Sequence, residues 1–222
     1  MSRMVIKCGG ARAGDAATTI LPLVEAGHEV CVVHGAGPQI SEEMRRFGIP
    51  VEFVGGRRVT TEAGLAVVRS SFRAVNAALC AALGPCALGL LGDEIGLYAA
   101  HVPALGHVGD PLPGRPPAIE AAFAAGRIPV VAPLAVGPLN VNADEAAAAL
   151  AVGLEAERIY FLTDVAGLFL EGAVVPSIGA DEADRLLDAG ALEGGILPKL
   201  RAAVTAARLG VLAEIGETAV TA

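Results

Sequence analysis

Two short apolar runs, Met4-Val5-Ile6-Lys7-Cys8 and Glu29-Val30-Cys31-Val32-Val33, each close on a glycine-rich turn. Runs of this length, bounded by glycine, read as buried strands. Between them, residues 14–27 carry apolar positions at helical spacing (Ala17, Ile20, Leu21, Val24) and stop at Gly27. Alternation of this kind constrains the chain to an α/β architecture around a mostly parallel sheet. After the second run, Pro38 in a first turn and Ile40 and Met44 on one face predict a helix opening directly out of His34-Gly35-Ala36-Gly37. Glycine turns at the carboxyl ends of parallel strands, with a helix start behind them, are where such sheets hold anions. Either turn alone reads equally well as an ordinary connection.

The remaining chain continues the alternation. Residues 51–60 predict a hairpin turning at Gly55-Gly56, and 61–83 a long helix. A strand follows near 86–90, a hairpin-like stretch over 95–102, and a segment, 105–117, without a readable pattern. Then come a helix at 118–126 and a strand at 127–131. Asn140-Val141-Asn142-Ala143-Asp144 is the densest polar cluster, placed just before an apolar helix over 145–152. Asn142 or Asp144 would cap that helix; three short polar side chains also suit a polar ligand. A strand at 158–162 ends in Thr163-Asp164-Val165-Ala166-Gly167. A hairpin over 168–175, helices at 181–188 and 196–209 and two short terminal strands complete the pattern.

Of sixteen basic residues two are lysines, Lys7 and Lys199, and the rest are arginines. Lysine is a compact mobile charge and arginine a planar fork, so the two lysines are candidates for chemistry on a moving anion. Lys199 lies in the first turn of its helix, where a cation opposes the helix dipole. Arg57 and Arg58, beside a glycine turn, either grip a carboxylate or form a solvated pair. Neither G-x-x-x-x-G-K-[ST] nor G-x-G-x-x-G occurs, which disfavours a P-loop or a dinucleotide-binding domain. A net charge of −8 argues against nucleic acid or an anionic membrane as partner. Cys8, Cys31, Cys80 and Cys86 show neither CxxC pairs nor ligand spacing with histidine, so reduced thiols and no protein-bound metal are expected. With no signal-like start and no apolar stretch read as spanning a bilayer, a cytoplasmic chain is expected.

Lys7-Cys8-Gly9-Gly10, His34-Gly35-Ala36-Gly37-Pro38-Gln39, Gly56-Arg57-Arg58-Val59-Thr60, Gly106-His107-Val108-Gly109, Asn140 to Asp144, Leu162 to Gly167 and Gly195-Ile196-Leu197-Pro198-Lys199 stand in one order along nearly the whole chain. Together they resemble the amino acid kinase family, and within it most closely the N-acetylglutamate kinases. The resemblance implies a three-layer αβα sandwich in two lobes: 1–139 mainly for the acyl amino acid and dimerisation, and 140–222 mainly for the nucleotide. It implies transfer of a phosphoryl group from ATP, with Mg2+ brought by the nucleotide, to the γ-carboxylate of N-acetyl-L-glutamate, the second step of arginine synthesis. Lys7 and Lys199 would flank the phosphoryl group, with Asp144 orienting both. Gly35, Ala36, Arg58, Asn140 and Asn142 would meet the acidic substrate. Gly9, Gly10, Thr163, Asp164 and Gly167 would meet the nucleotide. A sibling kinase acting on aspartate or a carrier-bound aminoadipate, or a non-catalytic sensor, are the alternatives.

Three departures from the family pattern carry expectations. Ala36 stands where a glycine is usual and would resist a positive φ. The segment 209–222 is shorter than the family's usual end, and no extra N-terminal helix precedes Met4. A homodimer through the first-lobe sheet and the helix 61–83, without arginine feedback, is therefore expected.

Overall fold

The computed structural model describes residues 2–9, 13–163, 166–170, 172–192 and 194–222. In chain order, the first half comprises β1 (Arg3–Cys8), α1 (Ala13–Glu25), β2 (Glu29–His34), α2 (Gly37–Arg46), β3 (Phe53–Val54), β4 (Arg57–Arg58), α3 (Glu62–Leu83), β5 (Ala87–Leu91) and α4 (Gly92–Ile95). The middle carries β6 (Ala99–His101), β7 (Gly109–Pro111), α5 (Pro117–Ala124), β8 (Ile128–Ala132), β9 (Leu134–Ala135), β10 (Leu139–Asn140) and α6 (Ala143–Gly153). The last part carries β11 (Arg158–Phe161), β12 (Phe169–Leu170), β13 (Ala173–Val174), β14 (Ser177–Gly179), α7 (Ala180–Asp188), α8 (Ile196–Arg208), β15 (Leu212–Ile215) and β16 (Thr218–Thr221).

Eight strands form the central sheet in the order β14-β16-β15-β11-β1-β2-β8-β5. The strands from β15 to β5 run parallel, and β16 turns back antiparallel on β15. Successive side chains of β1 serve opposite layers, as the two-residue period of a strand requires. Ile6 and Cys8 pack into the cluster that holds Ile20 of α1 and Leu79 of α3. Val5 packs on the other face, among the alanines of α6 and α8. Lys7, in phase with Val5, therefore points toward α6. A one-residue slip in register would turn the lysine away.

The chain winds outward from β1 in both directions, through β2 to β5 on one side and through β11 to β15 on the other. A crevice at the carboxyl ends of strands where winding reverses is the general ligand position in open α/β sheets. α6 and α8 run back into β11 and β15, strands parallel to β1, so both helices begin at that carboxyl edge. Buried alanines at 146–149 and 151 of α6, and at 202, 203, 206 and 207 of α8, leave little side-chain bulk between the two helices.

Three expectations need correction. The hairpin placed at 95–102 is instead β6 paired antiparallel with β7, across the segment that had no readable pattern. Alternation is absent there because Gly106 sits at φ 77°, and the strand contacts are made by backbone bridges to Thr60 and Asn140. Second, α3, with 22 residues, is long and apolar enough by length and composition to cross a membrane. Here it lies along the sheet, burying Val68, Phe72, Val75 and Leu79. Third, Ala36 has φ −143°, ordinary for alanine, and its methyl packs with Ile40, Met44 and Phe72. The loop tolerates it without strain. All four cysteines are free thiols; burial raises the Cys8 pKa to about 11 and that of Cys31 to about 12.

Candidate active site

Lys7 near the end of β1 and Asp144 in the first turn of α6 form a buried ion pair, Nζ to Oδ1 at 2.9 Å, with both side chains 8% exposed. The contact is close, but Oδ1 lies off the best hydrogen-bonding line. Asp144 is held from the backbone: Asn142 Oδ1 caps the helix, accepting the N–H groups of Asp144 at 2.8 Å and Glu145 at 3.2 Å. An acidic residue at a helix start is also favoured by the dipole. Asn142 thus spends its side-chain oxygen on capping, one of the two roles its place in the sequence suggested.

Lys199 sits in the first turn of α8, at the same edge of the sheet, behind Gly194 at φ 74°. Its ammonium donates to the Gly195 carbonyl at 3.1 Å. Topology brings both lysines and Asp144 to one edge.

Arg58 is 6% exposed. Its Nη2 donates to Ser41 Oγ at 2.7 Å and to the Gly37 carbonyl at 3.0 Å, and its guanidinium lies 4.6 Å from the Phe53 ring centre. Burial, with Arg45 nearby, lowers its pKa. Among the described residues no carboxylate pairs with it. A buried guanidinium without an anion is costly, so this one is suited to receive a carboxylate. Its neighbour Arg57 faces the other way and pairs with Glu145 and Asp110. The two arginines, indistinguishable in the sequence, have separate duties.

A residue absent from the candidate set joins these parts. Thr60, fully buried, donates Oγ1–H to the Arg58 carbonyl at 2.9 Å and accepts from Asn140 Nδ2 at 3.0 Å. Its backbone also donates to Leu105 and accepts from His107 at 2.7 Å. Thr60 and Ser41 hold Arg58 from behind. Thr60 could have been found as the end of the Gly56-to-Thr60 motif; Ser41 left no signal beyond its place on a helix. His107 serves through its backbone, its N–H on Thr60 and its carbonyl accepting from Asn140.

The second glycine turn differs from expectation. The Gly35 N–H donates to the Cys8 carbonyl at 3.0 Å, extending the β1–β2 ladder, so it is engaged within the protein. An added Cβ at Gly35 would sit 3.6 Å from Ala143 Cβ, an ordinary van der Waals contact, so the start of α6 packs beside this turn without requiring a glycine. His34 is fully buried, and its pKa is lowered to about 4 by burial. Asn76 Nδ2 donates to the Val130 carbonyl at 2.9 Å and to His34 Nε2 at 3.1 Å, which places the histidine proton on Nδ1.

Gly9 has an ordinary φ, and an added Cβ would meet no protein atom within 4 Å. Thr163 follows the end of β11, beside β1. Gly167 is required by close approach, since a Cβ would lie 2.5 Å from Thr218 Oγ1. Gly10 and Asp164 lie outside the described residues.

The amino acid kinase family model matches residues 2–215. An acetylglutamate kinase of Rubrobacter xylanophilus is 43% identical over 97% of this chain and 88% of its own. One from Geobacillus stearothermophilus is 37% identical over 91% and 84%. The crystal structure of smu.665 from Streptococcus mutans superposes with a TM-score of 0.90 at 29% identity, covering 99% of this chain and 98% of that one. By motif order, by the edge at which its lysines gather and by these matches, the chain belongs to the amino acid kinase family.

Proposed function

We infer that the chain transfers the γ-phosphoryl group of ATP to the γ-carboxylate of N-acetyl-L-glutamate, giving an acyl phosphate and ADP in the cytoplasm. The observation that carries this reading is the buried Lys7–Asp144 pair at the carboxyl edge of the sheet, with Arg58 buried nearby and lacking an anion among the described residues. One cation suits a transferring phosphoryl group and the other a fixed carboxylate. The related acetylglutamate kinases support the same assignment.

In the reaction a carboxylate oxygen attacks phosphorus, the bond to the β-phosphate oxygen breaks, and negative charge moves onto ADP. The nucleophile is already an anion, so no proton has to be removed. Catalysis then reduces to placement and charge stabilisation. Arg58 holds the α-carboxylate, with Thr60 and Asn140 fixing its backbone. Lys7 and Lys199 reach the phosphoryl group from opposite sides, and Asp144 keeps Lys7 in place. Gly9, with no protein atom to require a missing side chain, lets a phosphate approach its backbone. Gly10, Thr163, Asp164 and Gly167 complete the nucleotide side. We assign residues 1–139 mainly to the acyl amino acid and 140–222 mainly to the nucleotide.

Among the described residues no cluster of three potential metal ligands exists, and Asp144 is paired with Lys7. Mg2+ would be carried by the phosphates of the nucleotide, and no step here is routed through it.

A homodimer fits the outer face of α3. Ala66, Ala74, Ala77 and Ala81 are exposed there, beside β5 at the free edge of the sheet. Trapping the acyl phosphate with hydroxylamine, in the presence of ATP and N-acetyl-L-glutamate, aspartate or aminoadipate, tests the activity. Turnover is expected with N-acetyl-L-glutamate; preference for another acid would reassign the substrate, and silence with all three would remove the kinase reading.

A further inference from the structure

The β3–β4 hairpin carries Arg58, yet each strand has two residues and its tip, Gly55-Gly56, exposes Phe53 and Val54 beside it. A ribbon that short is not stable alone, so something must fix it against the body of the protein. Arg57 supplies that attachment. Its Nε–H donates to Glu145 Oε1 at 3.1 Å, and its Nη2 lies 3.1 Å from Oε2, less well aligned. Its Nη1 makes a short contact with Asp110 of β7.

Sequence adjacency gives this contact its consequence. Arg57 and Arg58 are consecutive in a strand and point to opposite faces: Arg58 to α2, Arg57 to α6. Asp144 and Glu145 are consecutive in a helical turn: Asp144 faces Lys7 of β1, Glu145 faces Arg57 of the hairpin. One arginine–glutamate fork therefore joins the backbone that carries the substrate-holding guanidinium to the backbone that carries the lysine-orienting carboxylate. Glu145 is partly shielded, and Asp110 and Asp144 stand close enough to disfavour its charge, while Arg57 favours it. Burial nonetheless leaves the Glu145 pKa above its ordinary value, and the fork offsets only part of that rise. Two attachment points on one planar group also fix direction as well as distance.

We propose that Arg57 is a positioning residue: its fork on Glu145, braced by Asp110, docks the β3–β4 hairpin on the start of α6 and so sets the spacing between Arg58 and the Lys7–Asp144 pair. This rests on the kinase reading for its effect on turnover. Displacing bound groups by about 1 Å costs on the order of 100-fold in rate, and the hairpin holds only the acidic substrate.

The test compares the wild type with Arg57→Gln, Arg57→Lys, Glu145→Gln and the Arg57→Gln/Glu145→Gln double variant. Arg57→Gln and Glu145→Gln should each lower kcat/KM for N-acetyl-L-glutamate by at least about 10-fold, with the KM for ATP within about 2-fold of wild type. Arg57→Lys, which keeps the charge without the fork, should recover only part of the loss. The double variant should be little worse than either single one, because both remove one contact. A residue that merely stabilised the fold would lower the active fraction and leave both KM values unchanged; that result overturns the proposal, as does simple additivity.

Amide hydrogen exchange across residues 52–59, read by mass spectrometry, is independent of activity. It should accelerate in Arg57→Gln and Glu145→Gln, and unchanged exchange overturns the docking role even in an active kinase. If the wild type failed to turn over any acid while exchange still depended on Arg57, the kinase reading would fall and the docking role would stand.

Discussion

Lys7 and Lys199 share a sequence rarity but differ in surroundings, and their substitution should separate accordingly. Lys7 and Asp144 are buried against one another. Removing one partner of a buried pair strands the other charge, at a cost of about 3–5 kcal/mol. Asp144→Ala should therefore lose both stability, read by urea unfolding, and activity. Lys199 is half-buried in a helical first turn, so Lys199→Ala should unfold much as the wild type does. Its kcat should nonetheless fall by about 100–1,000-fold, the usual effect of losing one charge-stabilising group, with little change in KM. Arg58→Ala should instead raise the KM for the acidic substrate by about 10–100-fold, matching about 1.5–3 kcal/mol for hydrogen bonds to a charged group. The two lysines stood out in the sequence as rare charges that local structure does not need, whereas Asp144 read equally well as a helix cap and Arg58 was told apart from Arg57 only by the family resemblance. Asn142 was ambiguous in the sequence because capping and ligand binding use the same short polar side chain, and its oxygen caps α6. Thr60 was signalled only as the end of a motif, and Ser41 and the distinct role of Arg57 were not legible, since their partners lie 17 and 88 residues away in the chain.

At the level of elements, the strand–helix alternation was readable wherever apolar periodicity carries the element. β1, β2, α3, α6 and α8 fall within a few residues of expectation. β6 and β7 escaped notice because their pairing spans a segment shaped by glycine and backbone bridges. Equally hidden was the link between α3 and the second glycine turn, through Asn76 and His34. An added Cβ at Gly89 of β5 would lie 2.2 Å from Asn76 Oδ1, so Gly89→Ala should displace Asn76 and loosen that link. The buried histidine also has a signature in pH. Its folded pKa of about 4 lies below the ordinary value of 6.5, so the unfolded chain takes the proton first. The stability contributed by neutral His34 is complete above pH 6.5 and is lost as pH falls toward 4, by about 3 kcal/mol in total. Urea unfolding between pH 7 and 4 should show a steeper acid loss in the wild type than in His34→Gln, and identical slopes would refute this.

For the whole molecule, the organising fact is that winding reverses at β1, which gathers loops from both halves of the chain at one edge. The family motifs exposed this arrangement in the sequence, although no local pattern states which strands are neighbours. The outer face of α3 should join a second copy. Sedimentation should give twice the 22.3 kDa chain mass, and Ala77→Arg on that face should halve it. The central claim remains that two lysines converge on one phosphoryl group. A crystal structure of the protein with ADP, aluminium fluoride and N-acetyl-L-glutamate measures this directly. The account predicts both Lys7 Nζ and Lys199 Nζ within about 3 Å of the planar fluoride group. Lys199 Nζ turned away from that group in the closed complex would contradict it.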